Sequence, residues 1–268
     1  MSALLQEEIE AEPEPVVRSK PARRGREVPR WLVFRYSPVT LFSLKMSRAT
    51  STAGKTLLTP TPYAGKMAFV DAAMRHGLAA DPNELVRGLA KATVRIGVPE
   101  HACVTGTIQS VRQETREIER KRNPRLPWYR ANIAMREFVH YQGDLRLAFD
   151  RNTCHPELTP LLRQIAPAVN YLGKRGSFFQ YVGYLEQQDL DSTFTQVVDK
   201  DHGAPTGWGH RATLDDFGAG ATFDALNSFS PAEIKWGIDR RFVETFVPFI
   251  VHNIGPGFTQ YCVPGAIL

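Results

Sequence analysis

The sequence predicts a mixed α+β chain from which one long hairpin projects, and three observations carry that expectation. Strand-like and helix-like patterns interleave without a regular βαβ alternation. Leu145, Leu147 and Phe149 alternate with Asp144, Arg146 and Asp150, the period of a half-buried strand, whereas Met67, Val70 and Met74 recur at helical spacing. Between two β-prone segments, residues 102–111 and 133–141, lies a cation-dense excursion that a hairpin would carry away from the body.

The elements follow in order. Glu7, Glu8, Glu10, Glu12 and Glu14 share the start of the chain with Pro13 and Pro15, and then Arg18, Lys20, Arg23, Arg24, Arg26 and Arg30 reverse the sign. So little apolar area predicts a flexible charged tail over residues 1–30, either solvated or docking as an arm on a partner or nucleic acid. Order is expected from Trp31, where an aromatic and β-branched run to Tyr36 reads as the first strand of one domain over residues 31–268. Residues 43–55 are small, polar and basic, with Lys45, Arg48 and Lys55. A helix is predicted over 63–76 with Gly77 as its stop, and a second over 82–91 with Asp81 or Asn83 as cap.

In the hairpin, residues 112–130 hold Arg112, Arg116, Arg120, Lys121, Arg122, Arg125 and Arg130 against Glu114, Glu117 and Glu119. Gly143 turns the chain into the strand 145–149. A helix over 157–170 is interrupted by Pro160 and Pro167, and a Gly-Lys-Arg-Gly loop, residues 173–176, precedes an aromatic strand over 178–185. Residues 199–226 are Gly-rich and polar and read as a long loop. Two β-prone segments, 242–252 and 258–263, flank a turn at Gly255-Pro256-Gly257.

Composition sets bounds. With 268 residues, 43% hydrophobic and 23% charged, the chain is neither wholly disordered nor a collagen-like fibre nor a coiled-coil rod. The three cysteines, Cys103, Cys154 and Cys262, are far apart and form no CxxC, so neither a zinc site nor a disulfide framework is expected, and the thiols suit a reducing compartment. Gln6, Glu7 and Glu8 interrupt any apolar leader, and no apolar run approaches the ~20 residues of a membrane helix. The expectation is a soluble cytoplasmic protein with no membrane contact, no metal and no cofactor.

Chemistry-bearing motifs are few. Gly54-Lys55-Thr56 imitates the end of a phosphate loop but lacks the glycine five residues earlier, and neither GxSxG nor HExxH occurs. Asp215-Asp216 are expected to be solvated or turn-capping. His140 beside Tyr141 is the best acid–base pair for metal-free RNA cleavage, against a plain structural role. Lys174 and Arg175 between two glycines fit either a surface turn or a phosphate contact, since glycine lets the backbone approach a ligand. The hairpin is the more informative feature. Cations from Arg116 to Arg130 stand beside Trp128 and Tyr129, and basic residues interleaved with aromatics suit single-stranded or folded RNA, with a solvated hairpin or an acidic protein partner as the alternatives.

Three segments, in this order along the chain, resemble the Cas-five family, the RAMP-type subunit of type I CRISPR Cascade complexes. Thr56 to Ala73 (TLLTPTPYAGKMAFVDAA) is similar to the approach to that family's first helix. Tyr129 to Val139 (YRANIAMREFV) is similar to the return strand of its thumb, and Gly173 to Phe179 (GKRGSFF) to its glycine-rich loop. The resemblance covers residues 31–263 and implies a ferredoxin-like, RRM-related fold with a thumb over about 102–141. It also implies a non-catalytic subunit that grips the 5′ handle of a CRISPR guide RNA. Such a subunit caps a filament of Cas-seven-type backbone subunits beside the large subunit, with target DNA close by. The RNA-facing residues implied are Lys45, Arg48 and Lys55 before the first helix, Arg116, Arg120, Lys121, Arg122, Arg125, Trp128, Tyr129 and Arg130 on the thumb, and Lys174 and Arg175 on the loop. Arg136 is expected to anchor the hairpin base through Glu137 or another carboxylate. One subtype of the family cleaves precursor RNA with a Tyr, a Lys and a His, which leaves a metal-independent endoribonuclease as the alternative. The charged tail departs from the family pattern.

Overall fold

The computed structural model describes residues 28–46, 53–199 and 203–266. Arg48 and nearly all of the charged segment at the start of the chain lie outside the described residues. The chain runs through β1 (Trp31–Pro38), β2 (Ala53–Gly54), α1 (Pro62–Arg75) and α2 (Pro82–Lys91). Next come β3 (Val94–Gly97), β4 (His101–Glu114), α3 (Glu117–Arg122) and β5 (Tyr129–Gln142). These are followed by β6 (Leu145–Asp150), α4 (Leu158–Ile165) and β7 (Phe179–Gln187). The last third supplies β8 (Gln196–Val197), β9 (His210–Phe217), α5 (Phe223–Leu226), β10 (Arg240–Val247), β11 (Ile250–Gly255) and β12 (Phe258–Cys262).

Four strands form an antiparallel sheet in the order β3-β6-β1-β7. With α1 between β1 and β3, and α4 between β6 and β7, this is the split β-α-β-β-α-β arrangement of a ferredoxin-like fold, to which α2 is an addition. β1 is central and buried on both faces from Trp31 to Phe34, which explains why its sequence there is a continuous apolar run rather than an alternation. Leu32, Phe34 and Tyr36 face the helices. The Phe34 ring lies 5.4 Å from Phe69 of α1 and 5.8 Å from Phe149 of β6, and the Tyr36 hydroxyl donates to the Ala166 carbonyl at 3.1 Å. Trp31 and Val33 face the other way, where Phe194, Leu185 and Leu190 cover them together with Ala148. That second face is the one on which an RRM stacks bases. Here the chain after β7 covers the part of it around Trp31 and Val33, while Arg35 stays exposed.

Local chemistry sets the helix ends. The Thr61 hydroxyl accepts from the Ala64 amide at 3.0 Å, Pro62 opens α1, and Gly77, with φ of 61°, follows its end. Of the two cap candidates for α2, Asp81 does the capping, accepting from the Asn83 amide at 2.8 Å. The helix expected over 157–170 stops at Ile165 and tightens into a 3-10 turn over Ala166–Ala168. Pro167 has no amide hydrogen to continue it, whereas Pro160 sits in the first turn, where none is needed.

Between β3 and β6 the chain leaves the sheet as the thumb. β4 and β5 pair without interruption from His101↔Gln142 to Glu114↔Tyr129, about 45 Å of ladder. The strands are thus longer than 102–111 and 133–141, so Arg112, Tyr129 and Arg130 belong to the ladder rather than to the tip. Ala102, Val104, Val139 and Tyr141 bury the base of the hairpin in the main core, and most residues beyond are exposed. β12 pairs with β4, and β11 with β12 across the Gly255-Pro256-Gly257 turn, giving the order β11-β12-β4-β5-β2.

The stretch 199–226 is not one loop. It contains β9 and α5, and β9 joins a third sheet in the order β8-β10-β9. Asp215 and Asp216, expected to be solvated or turn-capping, are buried in β9: Asp215 pairs with Arg240, and Asp216 with Lys66 at 2.7 Å and Arg241 at 3.7 Å. Leu214 to Phe217 are all buried, so the strand shows no apolar alternation from which to read it. Among the described residues the three cysteines are free thiols, no cluster of side chains suits a metal ion, and no helix is long and apolar enough to cross a membrane.

Candidate nucleic-acid interface

Two short pieces of backbone build one wall of a cleft of about 890 Å³. In the first, Lys45 bridges Thr56, the Leu57 amide donates to the Leu44 carbonyl at 2.8 Å, and the Leu44 amide donates to the Thr56 hydroxyl at 3.0 Å. The second is the Gly-Lys-Arg-Gly turn. Tyr171 bridges Phe178 beneath it, the Ser177 amide donates to the Lys174 carbonyl at 3.0 Å, and Gly173 and Gly176 take φ of 77° and 101°. These two glycines occupy the left-handed region that side chains avoid, and the turn leaves Lys174 and Arg175 exposed at the cleft mouth. A Cβ on Gly173 would also meet the Leu44 side chain at 2.6 Å. Gly77→Ala meets no neighbour and is expected to lower stability by the backbone cost alone, about 1–2 kcal/mol, while Gly173→Ala adds the collision with Leu44 and should shift the thermal midpoint further.

Leu44, Leu57, Ala64 and Met67 give the cleft an apolar lining, to which Tyr63, Phe223, Phe229 and Arg240 also contribute. The carboxylates at the cleft are engaged: Asp215 with Arg240, and Asp71 with Arg75 at 2.7 Å. Arg240 also lies 4.0 Å from the Tyr63 ring centre, over its face. The Tyr171 phenol is held above its ordinary pKa by burial and then by the charge of Asp71, with Arg175 acting the other way. Lys45, Arg136, Lys174 and Arg175 line the same cleft, and none of the four is in an ion pair among the described residues. A concave surface with apolar walls and four uncompensated cations concentrates positive potential and attracts a polyanion.

The structure thus brings Lys45, Lys174 and Arg175 together and adds Arg136, which was expected to be a structural anchor. Glu137 does the anchoring instead, accepting from the Thr56 amide at 2.9 Å. Lys55 does not join them. It lines a second cleft of about 820 Å³ with His210, Arg211, Phe242 and Tyr261, beyond the strand pair that carries Lys45.

The thumb residues form a separate surface. A short helix, α3, shapes the tip, which the Thr115 amide closes by donating to the Trp128 carbonyl at 2.8 Å. Arg120 stacks on the Trp128 ring, which stays 61% exposed, as does Tyr129. Lys121 pairs with Glu117 at 2.9 Å and Arg130 with Glu119 at 3.0 Å. Both pairs are solvated and contribute little. Arg112, Arg116, Arg122 and Arg125 are exposed with no ion pair among the described residues. β5 connects the two surfaces, carrying Arg130 near the tip and Arg136 at the cleft.

The His140–Tyr141 pair does not assemble. Adjacent strand residues face opposite ways: His140 is exposed, while Tyr141 is buried with its hydroxyl donating to the Leu58 carbonyl, and burial drives its pKa far above the ordinary phenol value. Sequence reasoning missed Phe229 and Arg240 as well. Phe229 carried a usable signal, an aromatic flanked by Ser228, Ser230 and Pro231 in a turn-forming stretch.

No family model and no curated protein matches the chain. Two of the solved structures similar to it are the following. One is described as the crystal structure of a CRISPR protein from Archaeoglobus fulgidus, with 11% identity and a TM-score of 0.42 over 88% of this chain and 92% of that one. The other belongs to a CRISPR RNA-guided surveillance complex, with 17% identity and a TM-score of 0.40 over 81% and 90%. The ferredoxin-like assignment rests on the strand order above.

Proposed function

We propose that the chain is a non-catalytic, RNA-binding subunit of a CRISPR ribonucleoprotein, with the role of a Cas-five-type protein. In this reading it grips the 5′ handle of the guide RNA and caps a filament of Cas-seven-type subunits beside the large subunit, near the target DNA. The observation that carries the reading is the convergence of Lys45, Arg136, Lys174 and Arg175 on one cleft at the base of a basic thumb. Phosphates would lie on these cations and splayed bases on the apolar lining. The three segments that resemble the family provide two of the four cations from its loop and one from its thumb return strand, which supports the same assignment.

The test is binding of the full chain to a guide-handle RNA across a salt series. Lys174→Ala with Arg175→Ala is expected to weaken binding and to lower the slope of log K against log salt by about 1.4, at about 0.7 per phosphate contact. Wild-type RNA recovery from that double variant at every salt concentration would overturn the site. In the non-catalytic reading, incubation with precursor RNA and EDTA leaves the RNA intact; a single clean cut bearing a 2′,3′-cyclic phosphate would overturn it.

A further inference from the structure

Phe229 stands at the rim of the first cleft and is 86% exposed. One exposed aromatic is unremarkable by itself. What sets this one apart is how firmly the chain holds it out. The Asn227 amide closes α5 by donating to the Phe223 carbonyl at 2.9 Å. The Asn227 side-chain oxygen then accepts from the Phe229 amide at 3.0 Å, its backbone carbonyl accepts from the Ser230 amide at 3.0 Å, and the Ser230 hydroxyl accepts from the Ala232 amide at 3.2 Å. The backbone that bears the ring is therefore fixed before any ligand arrives, and a phenylalanine has only two torsions to order on binding.

The cleft that the ring lines is also lined by Lys174 and Arg175 on the glycine-bounded turn. A rigid π-face sharing one cleft with cations that have no carboxylate partner matches the two parts of a nucleotide, a flat apolar base and an anionic phosphate. An acidic peptide would satisfy the cations but would leave the flat ring without a flat partner.

We propose that Phe229 is the stacking platform for one unstacked base of single-stranded RNA whose adjacent phosphates lie on Lys174 and Arg175. This rests on the RNA reading above and adds a defined base position to it. The experiment uses the full chain and handle RNAs carrying 2-aminopurine at successive positions. One position is expected to change fluorescence sharply on binding. Phe229→Ala should abolish that change and weaken binding roughly 5- to 150-fold, the range for one base–aromatic stack, without altering the salt slope, because no charge is removed. Phe229→Trp should restore both. With its ring in solvent, Phe229→Ala is expected to keep the wild-type melting curve, which serves as the folding control. If Phe229→Ala binds RNA like wild type, the stacking proposal falls and the RNA reading stands. If the wild-type chain binds no RNA, both fall. If the variant loses an acidic protein partner but keeps RNA, the ring is a protein contact and the proposal is overturned.

Discussion

Asp216→Ala is expected to destabilise the protein by about 3–5 kcal/mol, the usual consequence of leaving a buried charge without its counterion. The charge is Lys66 on α1. Its side chain is fully buried, the Asp216 carboxylate lies 2.7 Å away, and the Phe217 ring centre is 5.6 Å from its Nζ. No other acceptor reaches the ammonium among the described residues. The pair clamps α1 of the ferredoxin-like unit onto β9 of the C-terminal sheet, so its loss uncouples two layers. Lys66→Met should be much milder, because Asp216 keeps Arg241 and the Phe217 amide, which donates to it at 2.8 Å, while the methionine fills the apolar space. Burial also lowers the lysine pKa from its ordinary 10.5. The unfolded chain then holds this proton more tightly than the folded one, so stability falls as pH drops from about 10.5 towards the folded value. Lys66→Met should remove that slope. Urea midpoints at several pH values check all three expectations, and an Asp216→Ala variant as stable as wild type would show that the pair is not a clamp.

The strength of that clamp bears on what could be read beforehand. The ferredoxin-like elements were legible in place but only partly in burial. β1 is an apolar run buried from Trp31 to Phe34, and β6 is buried at Ala148 and Asp150 as well as at the alternating Leu145, Leu147 and Phe149. α1 is buried on most sides, with Met67 and Met74 of the expected face only half-buried. The hairpin was legible from two β-prone segments around a cation-rich excursion. β9 was not legible. Two adjacent carboxylates with a glycine after Phe217 resemble a loop, and only partners distant in sequence, Lys66 and Arg240, make them fit an interior. The same limit applies to the site. Lys174 and Arg175 announce themselves between glycines, whereas Arg136 lies inside a strand, where a cation reads as a solvated or anchoring residue. It pairs with Gly54 of β2, where a Cβ would collide with the Met135 carbonyl. Lys45 and Lys55 look equivalent in sequence, yet the strand pair between them directs each to a different cleft.

Replacing Lys45, Arg136, Lys174 and Arg175 together by glutamine is expected to reduce affinity for guide-handle RNA on the order of 100-fold at low salt and to lower the salt slope by about 3. The comparison that gives this result meaning is an equal number of charges removed from the thumb: Arg112, Arg116, Arg122 and Arg125 to glutamine. Both variants lose four cations, so a purely nonspecific attraction would weaken equally. The two sites differ in shape. The cleft set is gathered in a concavity with apolar walls, where the field is focused and contact with RNA displaces water. The thumb set is exposed along a projecting ladder and tip, where screening over about 10 Å separates the charges from one another. The cleft variant should therefore lose more affinity than the thumb variant, and the thumb variant more of the association rate than of the complex lifetime. Stopped-flow binding at two salt concentrations separates those quantities. A thumb variant that loses more affinity than the cleft variant would move the principal RNA grip from the cleft to the hairpin.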